Sequence, residues 1–509
     1  GNGSLVKIGT DLSTDKLDYQ AASTVAVGRD LYLNANTAGS ATNAVKFNNT
    51  DGVLQVGRDI VGVLGKTVVS TDVNNTGTVT MVSGAQAVLG NLGASGLALK
   101  TLNIGGASQG GSNGIDSSDN VASTTTITGH VFAQTISLNN NDATPTSSTL
   151  NMASGYNITG NVVTENSGLG NLNLLGGVQT VTGSVGGDGL SGNSPKLNAV
   201  TSGADGAVST FTGKVYATTV SNTGTGGSTY QDDVTATTVN VAAGTSNFSK
   251  ALTATTTNIG AGTGNFSSTS TTTSAIVFTG GNGVANLNNG LTGTVDFGGQ
   301  ANATVNLADS KAISGAITTS TANTGVLNTL GAATLSSDVG TGNAIKALNV
   351  NTSSSPSKVV LANGNVNAQT VSLQNDGVLR MAGSKDLTGT VSTTAAGTGA
   401  LDFLGTSVVT GNVGAAGMAL KTISGGVTGQ TVTFNSGAVY ANTLAYTGNG
   451  EVRFNGNAPG AGVNDRGFVG AVDFGTNVTS TGTLKLGDAV DLVTQNATSA
   501  GANTQTTFL

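Results

Sequence analysis

The sequence of 509 residues contains no cysteine, no tryptophan, four prolines and a single histidine. Without cysteine, the chain can form neither a disulfide nor a thiolate metal site. Only 9% of its residues are charged, and its net charge is −7. A nucleic-acid-binding surface needs clustered lysine and arginine, so the composition argues against that class of function. A cysteine-free chain also suits a protein that crosses an oxidising compartment unfolded, where a disulfide would trap it.

Long apolar runs are missing as well. A membrane-spanning helix needs about 20 consecutive apolar residues, and the runs in this chain are only a few residues long. The first residues, "GNGSLVKIGTD", lack the charged and then apolar layout of a signal peptide. We therefore expect no membrane insertion of this segment, and a processed or trimmed segment if the protein is exported.

Glycine and short alternating stretches are what the sequence has in abundance. There are 78 glycines, and apolar residues alternate with polar ones in "TVTMVSG" (78–84), "NLNLLGG" (171–177) and "TGTLKLGD" (481–488). A period of two is typical of half-buried β-strands, and the Gly and Asn residues that close each stretch favour turns. A flexible linker would not carry 37% hydrophobic residues. The chain is therefore predicted to be almost entirely β.

One stretch recurs, nearly unchanged, a short distance further along the chain. "TATTVNVAAGTSNF" starts at Thr235, and "TATTTNIGAGTGNF" starts at Thr253. The step from Thr235 to Thr253 suits one complete circuit, or coil, of a parallel β-helix, in which equivalent residues of successive coils stack on one another. The sequence predicts an all-β, right-handed parallel β-helix. It would form an elongated rod of roughly 25 coils, each made of about 18–20 residues.

A longer repeat lies above the coil. "VLGNLGASGLALKTL" starts at Val88 and "VTGNVGAAGMALKTI" at Val409, with weaker relatives from Val181 and Leu335. A second signature follows each of them, at Val131, Val215, Val366 and Val439. The lysines of the first signature are Lys100, Lys196, Lys346 and Lys421, and the last two lie about 75 residues apart. We expect super-repeats of about 75 residues within one domain, 1–509, without an internal boundary.

Two polar stretches interrupt the repeats. They are 105–120 and 139–150, both rich in Gly, Ser, Asp or Asn. We expect them to loop out of the stack and to make partner contacts that regular coils do not make. Asp116 and Asp119 in the first stretch are weak candidates for a calcium site. The stretch lacks the ligand spacing of an EF-hand, so a solvated turn is favoured and no metal or other cofactor is expected.

No set of residues in the sequence points to catalysis. His130 lies on a predicted strand and is interpreted as an outward polar residue. Paired acids such as Asp232–Asp233 are few, whereas acid–base chemistry needs several such groups held together. Glycine is so frequent that nucleotide-binding patterns arise by chance. The "VGRD" motifs are interpreted as local ion pairs (Arg29 with Asp30, Arg58 with Asp59). The repeat lysines would be about 20 Å apart, beyond the screening length of about 8 Å, and are interpreted as a solvated face. We predict no catalytic and no cofactor-binding residues.

Two stretches resemble a known family. "TGALDFLGTSVVTGNVGAAGMALKT" (398–422) and, more loosely, "LGNLNLLGGVQTVTGSVGGDG" (169–189) are similar to the passenger region of the rickettsial surface autotransporters, outer membrane proteins A and B, most closely the B type. The resemblance implies a non-enzymatic protein on the bacterial surface, outside the outer membrane. It implies self-association into a surface layer and binding to a host-cell surface protein during attachment and entry. The family's signal and translocator barrel are missing here, so a passenger fragment, tethered through such a barrel, is expected.

Three other interpretations remain open. The chain could be a self-assembling layer or fibre subunit without receptor binding of its own. It could be a β-helical carbohydrate-active enzyme, which would require acids clustered on one strand face. An ice-binding solenoid is suggested by "STSTTTS" (268–274), but such a protein needs long, regular Thr-x-Thr rows, and here they are local.

Overall fold

The computed structural model describes most of the chain. The described residues are 4–33, 44–48, 51–82, 84–105, 123–138, 147–164, 166–187, 195–267, 269–353, 355–436, 438–455, 467–475, 482–486, 491–493 and 497–498. Two compact units are present: unit 1 comprises 1–258 and 262–264, and unit 2 comprises 259–261 and 265–509.

Short strands make up the described structure. The first 26 strands are β1 (Leu5–Ile8), β2 (Leu12–Thr14), β3 (Leu17–Tyr19), β4 (Thr24–Val27), β5 (Leu31–Leu33), β6 (Val45–Phe47), β7 (Val53–Val56), β8 (Ile60–Val61), β9 (Thr67–Thr71), β10 (Thr76–Met81), β11 (Gly84–Leu89), β12 (Asn91–Leu92), β13 (Leu99–Ile104), β14 (Ser123–Thr128), β15 (Val131–Leu138), β16 (Thr149–Met152), β17 (Ile158–Val163), β18 (Leu169–Leu174), β19 (Val178–Thr182), β20 (Leu197–Ser202), β21 (Val208–Phe211), β22 (Val215–Asn222), β23 (Gly227–Tyr230), β24 (Val234–Val241), β25 (Thr245–Phe248) and β26 (Leu252–Ile259).

The strands of the second half are equally short. They are β27 (Thr263–Phe266), β28 (Thr272–Phe278), β29 (Val284–Leu287), β30 (Leu291–Thr292), β31 (Val295–Asp296), β32 (Thr304–Leu307), β33 (Lys311–Ile313), β34 (Ile317–Thr318), β35 (Thr324–Thr329), β36 (Ala333–Leu335), β37 (Val339–Thr341), β38 (Ile345–Val350), β39 (Val359–Ala362), β40 (Val366–Leu373), β41 (Val378–Met381), β42 (Leu387–Thr393), β43 (Thr398–Phe403), β44 (Ser407–Thr410), β45 (Leu420–Gly425), β46 (Thr431–Ser436), β47 (Ala438–Tyr446), β48 (Glu451–Phe454), β49 (Gly467–Asp473), β50 (Thr483–Leu486), β51 (Asp491–Val493) and β52 (Ala497–Thr498).

The strands form a parallel β-solenoid, which confirms the predicted fold. Parallel pairs join strands that are two or three positions apart in the chain, as β1 does with β4 and β43 with β45. Among the described residues there is no helix, and hence none that could cross a membrane. The repeat that starts at Thr235 and Thr253 corresponds to one coil: the side chain of Asn258 donates at 2.9 Å to that of Asn240, which holds the same place in the first stretch.

The number of coils is smaller than the roughly 25 expected. Many stacked partners are further apart in sequence than that repeat predicts, as Thr24 is from Val53 and Val326 is from Thr304. The coil that stacks Val215 on Val234 is among the shortest. Longer corners between the strands lengthen the other coils and reduce their number.

The two repeat signatures stack directly on each other. Leu92 pairs with Val131, and the equivalent pairs are Val185–Val215, Val339–Val366 and Val413–Val439. The first pair keeps this arrangement although an interrupting stretch lies between its members. All eight side chains are buried. The signatures are therefore two successive layers of one core.

Inside each unit, like side chains form columns. In unit 1 the ring of Tyr230 stacks between Phe211 and Phe248, with centroids 5.0 and 5.1 Å apart. In unit 2 the ring of Phe454 stacks on Phe434 at 5.0 Å. A column of half-buried asparagines also runs through unit 2, each amide donating to the oxygen of the one before over 2.6–2.8 Å: Asn265, Asn286, Asn306, Asn328 and Asn349. Each coil thus supplies the partner for the next, which is why a single coil would not be stable alone.

Candidate functional site

Side-chain acceptors at one corner of unit 1 hold successive coils together. The carboxylate of Asp11 accepts the backbone N–H of Asp30 at 3.2 Å, and that of Asp30 accepts the N–H of Asp59 at 3.2 Å. Asp59 continues the series by accepting the N–H of Ala87 at 2.7 Å. We call such a series an acceptor column: each side chain accepts the N–H of the stacked residue in the next coil. It satisfies corner amides that have no strand partner.

His130 is a member of a second acceptor column. The side chain of Asn91 accepts the N–H of His130 at 2.7 Å, and Nδ1 of His130 accepts the N–H of Asn157 at 3.1 Å. Asn157 in turn accepts the N–H of Thr180 at 2.8 Å. Each member precedes one of the stacked residues Leu92, Val131, Ile158 and Val181. The histidine therefore occupies a position that asparagine fills in the adjacent coils.

Unit 2 contains a third acceptor column of the same kind. Asp338 accepts the N–H of Asn365 at 2.8 Å, Asn365 that of Asp386 at 2.9 Å, and Asp386 that of Val408 at 2.8 Å. The carboxylates of Asp11, Asp30, Asp59, Asp338 and Asp386 are thus all engaged in contacts with backbone N–H groups. The sequence analysis did not predict the acceptor columns. The signal that could have revealed them is an Asp, Asn or His directly before the apolar residue that stacks in each coil.

The "VGRD" motifs differ from the prediction. The guanidinium of Arg29 lies 3.7 Å from Asp11 in the adjacent coil, and Asp30 accepts the hydroxyl of Tyr32 at 3.3 Å. Neither Arg29–Asp30 nor Arg58–Asp59 is among the ion pairs of the described residues, and the carboxylate of Asp30 instead accepts the N–H of Asp59 in the next coil. Asp59 is used in the same way.

The acidic pair Asp232–Asp233 has two separate structural roles. Asp232 forms an ion pair of 2.9 Å with Lys250, one coil further on, and accepts the N–H of Asp233 at 2.8 Å. The hydrogen bond from Lys250, and then that from Asp233, hold the pKa of Asp232 below its ordinary value. Asp233 accepts the N–H of Ala251 at 3.2 Å. Both carboxylates act as acceptors between coils.

Three of the four repeat lysines are structurally equivalent. Lys100 pairs with Asp51 at 3.2 Å and Lys421 with Asp376 at 2.9 Å, in each case two coils earlier. Lys346 donates to the carbonyl oxygen of Ala301 at 3.4 Å, again two coils back. In the intervening coil the residues opposite these lysines are glycines, Gly77, Gly325 and Gly399. A Cβ atom on these glycines would lie 2.2 Å from Phe47, 2.1 Å from Phe297 and 2.7 Å from Leu373, respectively, so close packing of these side chains accounts for glycine at the three positions.

Lys196 differs from the other three. Leu99 stacks on Ala133 and is followed by Lys100, whereas Leu197 stacks on Ala217 and is preceded by Lys196. Its ammonium lies 5.0 Å from the ring centroid of Tyr216. The regular sequence spacing between Lys196 and Lys346 therefore does not reflect structural equivalence.

Apolar side chains are exposed at several corners. In unit 1 the stacked residues Val178 and Val208 are 69% and 48% exposed. Leu97 and Met418 lie at equivalent small hairpins, closed by antiparallel bridges Ala94–Leu97 and Ala415–Met418. The corner leucines Leu175, Leu330 and Leu404 are also exposed. Further exposed apolar residues of unit 1 are Leu5, Val6, Tyr32, Leu64 and Val73.

The predicted calcium candidates Asp116 and Asp119 lie outside the described residues, as do most of the interrupting stretches 105–120 and 139–150. Within the described ranges, no three His, Asp or Glu side chains are grouped as metal ligands. The site that the structure offers is therefore the corners and faces of the coils, without a described centre of converging titratable groups.

No protein-family model, curated protein or solved structure matches this chain.

Proposed function

We propose that this protein is a non-enzymatic bacterial cell-surface protein, the β-solenoid passenger of an autotransporter. In this proposal it is exported to the exterior of the outer membrane and self-associates in a surface layer. It also binds a host-cell surface protein during adhesion and entry. The resemblance of 398–422 and 169–189 to rickettsial passengers motivates the proposed location.

The observation that supports this proposal best is how the titratable side chains are used. The carboxylates and His130 in the three acceptor columns each accept a backbone N–H of the next coil. The equivalent lysines Lys100 and Lys421 reach back to carboxylates two coils away. Titratable groups that each serve one contact between coils suit a scaffold that presents an extended surface. An enzyme instead needs several such groups to converge on one substrate.

A self-assembling layer or fibre subunit without its own receptor is the second candidate. The exposed pair Val178–Val208 and the hairpin residues Leu97 and Met418 favour lateral contacts, because apolar surface of this kind often marks protein interfaces. Layer formation and adhesion can occur in the same protein. Separate measurements are therefore needed for each.

Two measurements test the proposal. Immunogold electron microscopy of unpermeabilised bacteria should label a layer outside the outer membrane, and beads coated with the purified chain should adhere to host cells. A chain that assembles but does not adhere would favour the second candidate. Labelling confined to the cell interior would contradict the proposed location, and an absence of both assembly and adhesion would contradict the function.

The interrupting stretches provide a finer test of where partners bind. Shortening the chain within 106–120 or within 139–146 should weaken assembly or adhesion while the far-ultraviolet circular dichroism spectrum stays that of a β protein. Thr410→Ala, at an exposed strand position of unit 2, is the control and should leave assembly and adhesion unchanged. Unchanged assembly and adhesion in both shortened chains would place the contacts on the coils instead.

A further inference from the structure

His130 joins three coils of unit 1 through its backbone and its ring. Its N–H donates to Asn91 at 2.7 Å and its carbonyl accepts the N–H of Leu92 at 2.9 Å, in the preceding coil. Its ring Nδ1 accepts the N–H of Asn157, in the following coil, at 3.1 Å. Beside this contact, the N–H of Val131 donates to the carbonyl of Asn157 at 3.0 Å. The amide of Asn157 is thus bonded to a titratable side chain.

The contact between Nδ1 and the amide of Asn157 requires a neutral imidazole. A neutral imidazole has one nitrogen that accepts, but both nitrogens are donors once the ring is protonated. A protonated ring would place an N–H against the N–H of Asn157. The asparagines in the same column present an amide oxygen, which accepts at any pH near neutrality. His130 is therefore the one proton-sensitive member of the column Asn91–His130–Asn157–Thr180.

The side chains beside the ring of His130 are aromatic. The ring of Tyr156 meets it edge-on, with centroids 5.4 Å apart, and Phe132 lies at 6.3 Å. Tyr156 is titratable, but a phenol carries no charge at neutral or acidic pH. From the preceding coils the neutral Asn91 faces the histidine, and the charged residue Lys66 contributes its carbonyl oxygen to the N–H of Asn91. In the described part of the chain, no ion pair involves His130.

We infer that His130 is a pH-sensitive link between the coils of unit 1. At neutral pH its Nδ1 holds the amide of Asn157. As the pH falls to values at which imidazoles gain a proton, that hydrogen bond is lost and the two corners that precede β15 and β17 separate locally. The coils stay paired through their strands, so the response is a local loosening rather than unfolding. This inference concerns the fold and holds whether or not the proposed surface function is correct.

Hydrogen exchange of the full chain tests the link, read at the amide of Asn157 by overlapping peptides at pH 8 and pH 5. The matched control is His130→Asn, which keeps an acceptor and cannot be protonated in this range. Comparison of the two proteins at each pH cancels the intrinsic effect of pH on exchange. The amide of Thr180, bonded to the neutral side chain of Asn157, serves as an internal reference.

We expect equal protection of the Asn157 amide in the two proteins at pH 8. At pH 5 the wild-type amide should exchange roughly fivefold faster than in His130→Asn, the factor expected for loss of one hydrogen bond. His130→Ala should exchange fast at both pH values. A wild-type to His130→Asn ratio that is the same at pH 8 and pH 5 would overturn the inference, because a purely structural histidine would give that result.

Discussion

Gly414 lies against the backbone of Tyr440 in the next coil: a Cβ atom on Gly414 would be 2.5 Å from the carbonyl oxygen of Tyr440. The same relationship occurs at three other places, between Gly93 and Phe132, Gly186 and Tyr216, and Gly340 and Asn367. All four glycines have positive φ, from 67° to 84°. Each follows the buried residue on which the second repeat signature stacks. The close approach therefore accounts for the glycine of the first signature.

Replacing Gly414 by alanine should destabilise the protein far more than the same change at Gly417. Both residues have positive φ, 67° and 76°, so each alanine would carry backbone strain of about 1–2 kcal/mol. Nothing lies within 4 Å of the Cβ position at Gly417, whereas Gly414 also meets backbone atoms. Urea-unfolding midpoints of Gly414→Ala and Gly417→Ala measure the difference. Equal midpoints would contradict the close packing at Gly414.

The strand pattern and the stacking could be predicted from the sequence because both follow from local alternation and repetition. The Thr235 and Thr253 stretches gave the length of the tightest coil, and the Asn240–Asn258 contact has that spacing. The number of coils was wrong because corner lengths vary without a sequence period. Thr24 and Val53, for example, are stacked although their separation in sequence far exceeds the step from Thr235 to Thr253.

The contacts of the charged residues could not be predicted in the same way. Arg29 and Asp30 are adjacent in sequence, yet Arg29 lies near Asp11 and Asp30 accepts an amide of the next coil. Likewise, Lys196 belongs to a similar sequence motif but is shifted by two positions in the stack. These partners depend on the register between coils, which a single sequence does not specify.

Asp376 should stabilise unit 2 at neutral pH and lose that effect in acid. Burial alone would raise the pKa of its carboxyl, but hydrogen bonds from Lys421, the N–H of Gly399 and Ser357 outweigh burial and lower it. A lowered pKa means that the stabilisation is present above about pH 4, the ordinary range of an aspartate, and disappears as the pH falls through the lower folded value. Asp376→Asn should therefore cost about 1 kcal/mol at pH 7 and almost nothing near pH 2.

Urea unfolding of wild type and Asp376→Asn at both pH values measures this effect. Lys421→Met is the companion variant, since it removes the ion pair and leaves the contacts from Gly399 and Ser357 in place. It should show a smaller loss with the same sign of pH dependence. A loss in Asp376→Asn that is as large at pH 2 as at pH 7 would mean that the carboxylate charge is not involved.

Two buried serines in unit 1 should respond oppositely to alanine. Ser209 and Ser228 stack on each other and are both fully buried. The hydroxyl of Ser228 bonds Ser202 at 2.9 Å, whereas the hydroxyl of Ser209 has no partner. Ser228→Ala should lower the free energy of unfolding by about 1 kcal/mol, and Ser209→Ala should be neutral or stabilising, because it removes an unpaired polar group. A clear loss of stability in Ser209→Ala would reveal a partner for that hydroxyl.

Tyr230 should resist ionisation until strongly alkaline pH. Burial between Phe211 and Phe248 raises the pKa of its phenol to about 12, and contacts with Ser202 and Ser228 offset only part of this effect. Because the folded value is raised, the stabilisation is complete below about pH 10 and is lost as the pH rises towards 12.

The ultraviolet difference spectrum between wild type and Tyr230→Phe should therefore show no tyrosinate at pH 10.5 while the protein is folded, and one tyrosinate after unfolding in urea at the same pH. Tyr230→Phe should also tolerate alkali better than wild type, by up to about 2–3 kcal/mol at pH 12. A tyrosinate signal from the folded wild-type protein at pH 10.5 that is absent in Tyr230→Phe would show that water reaches this ring.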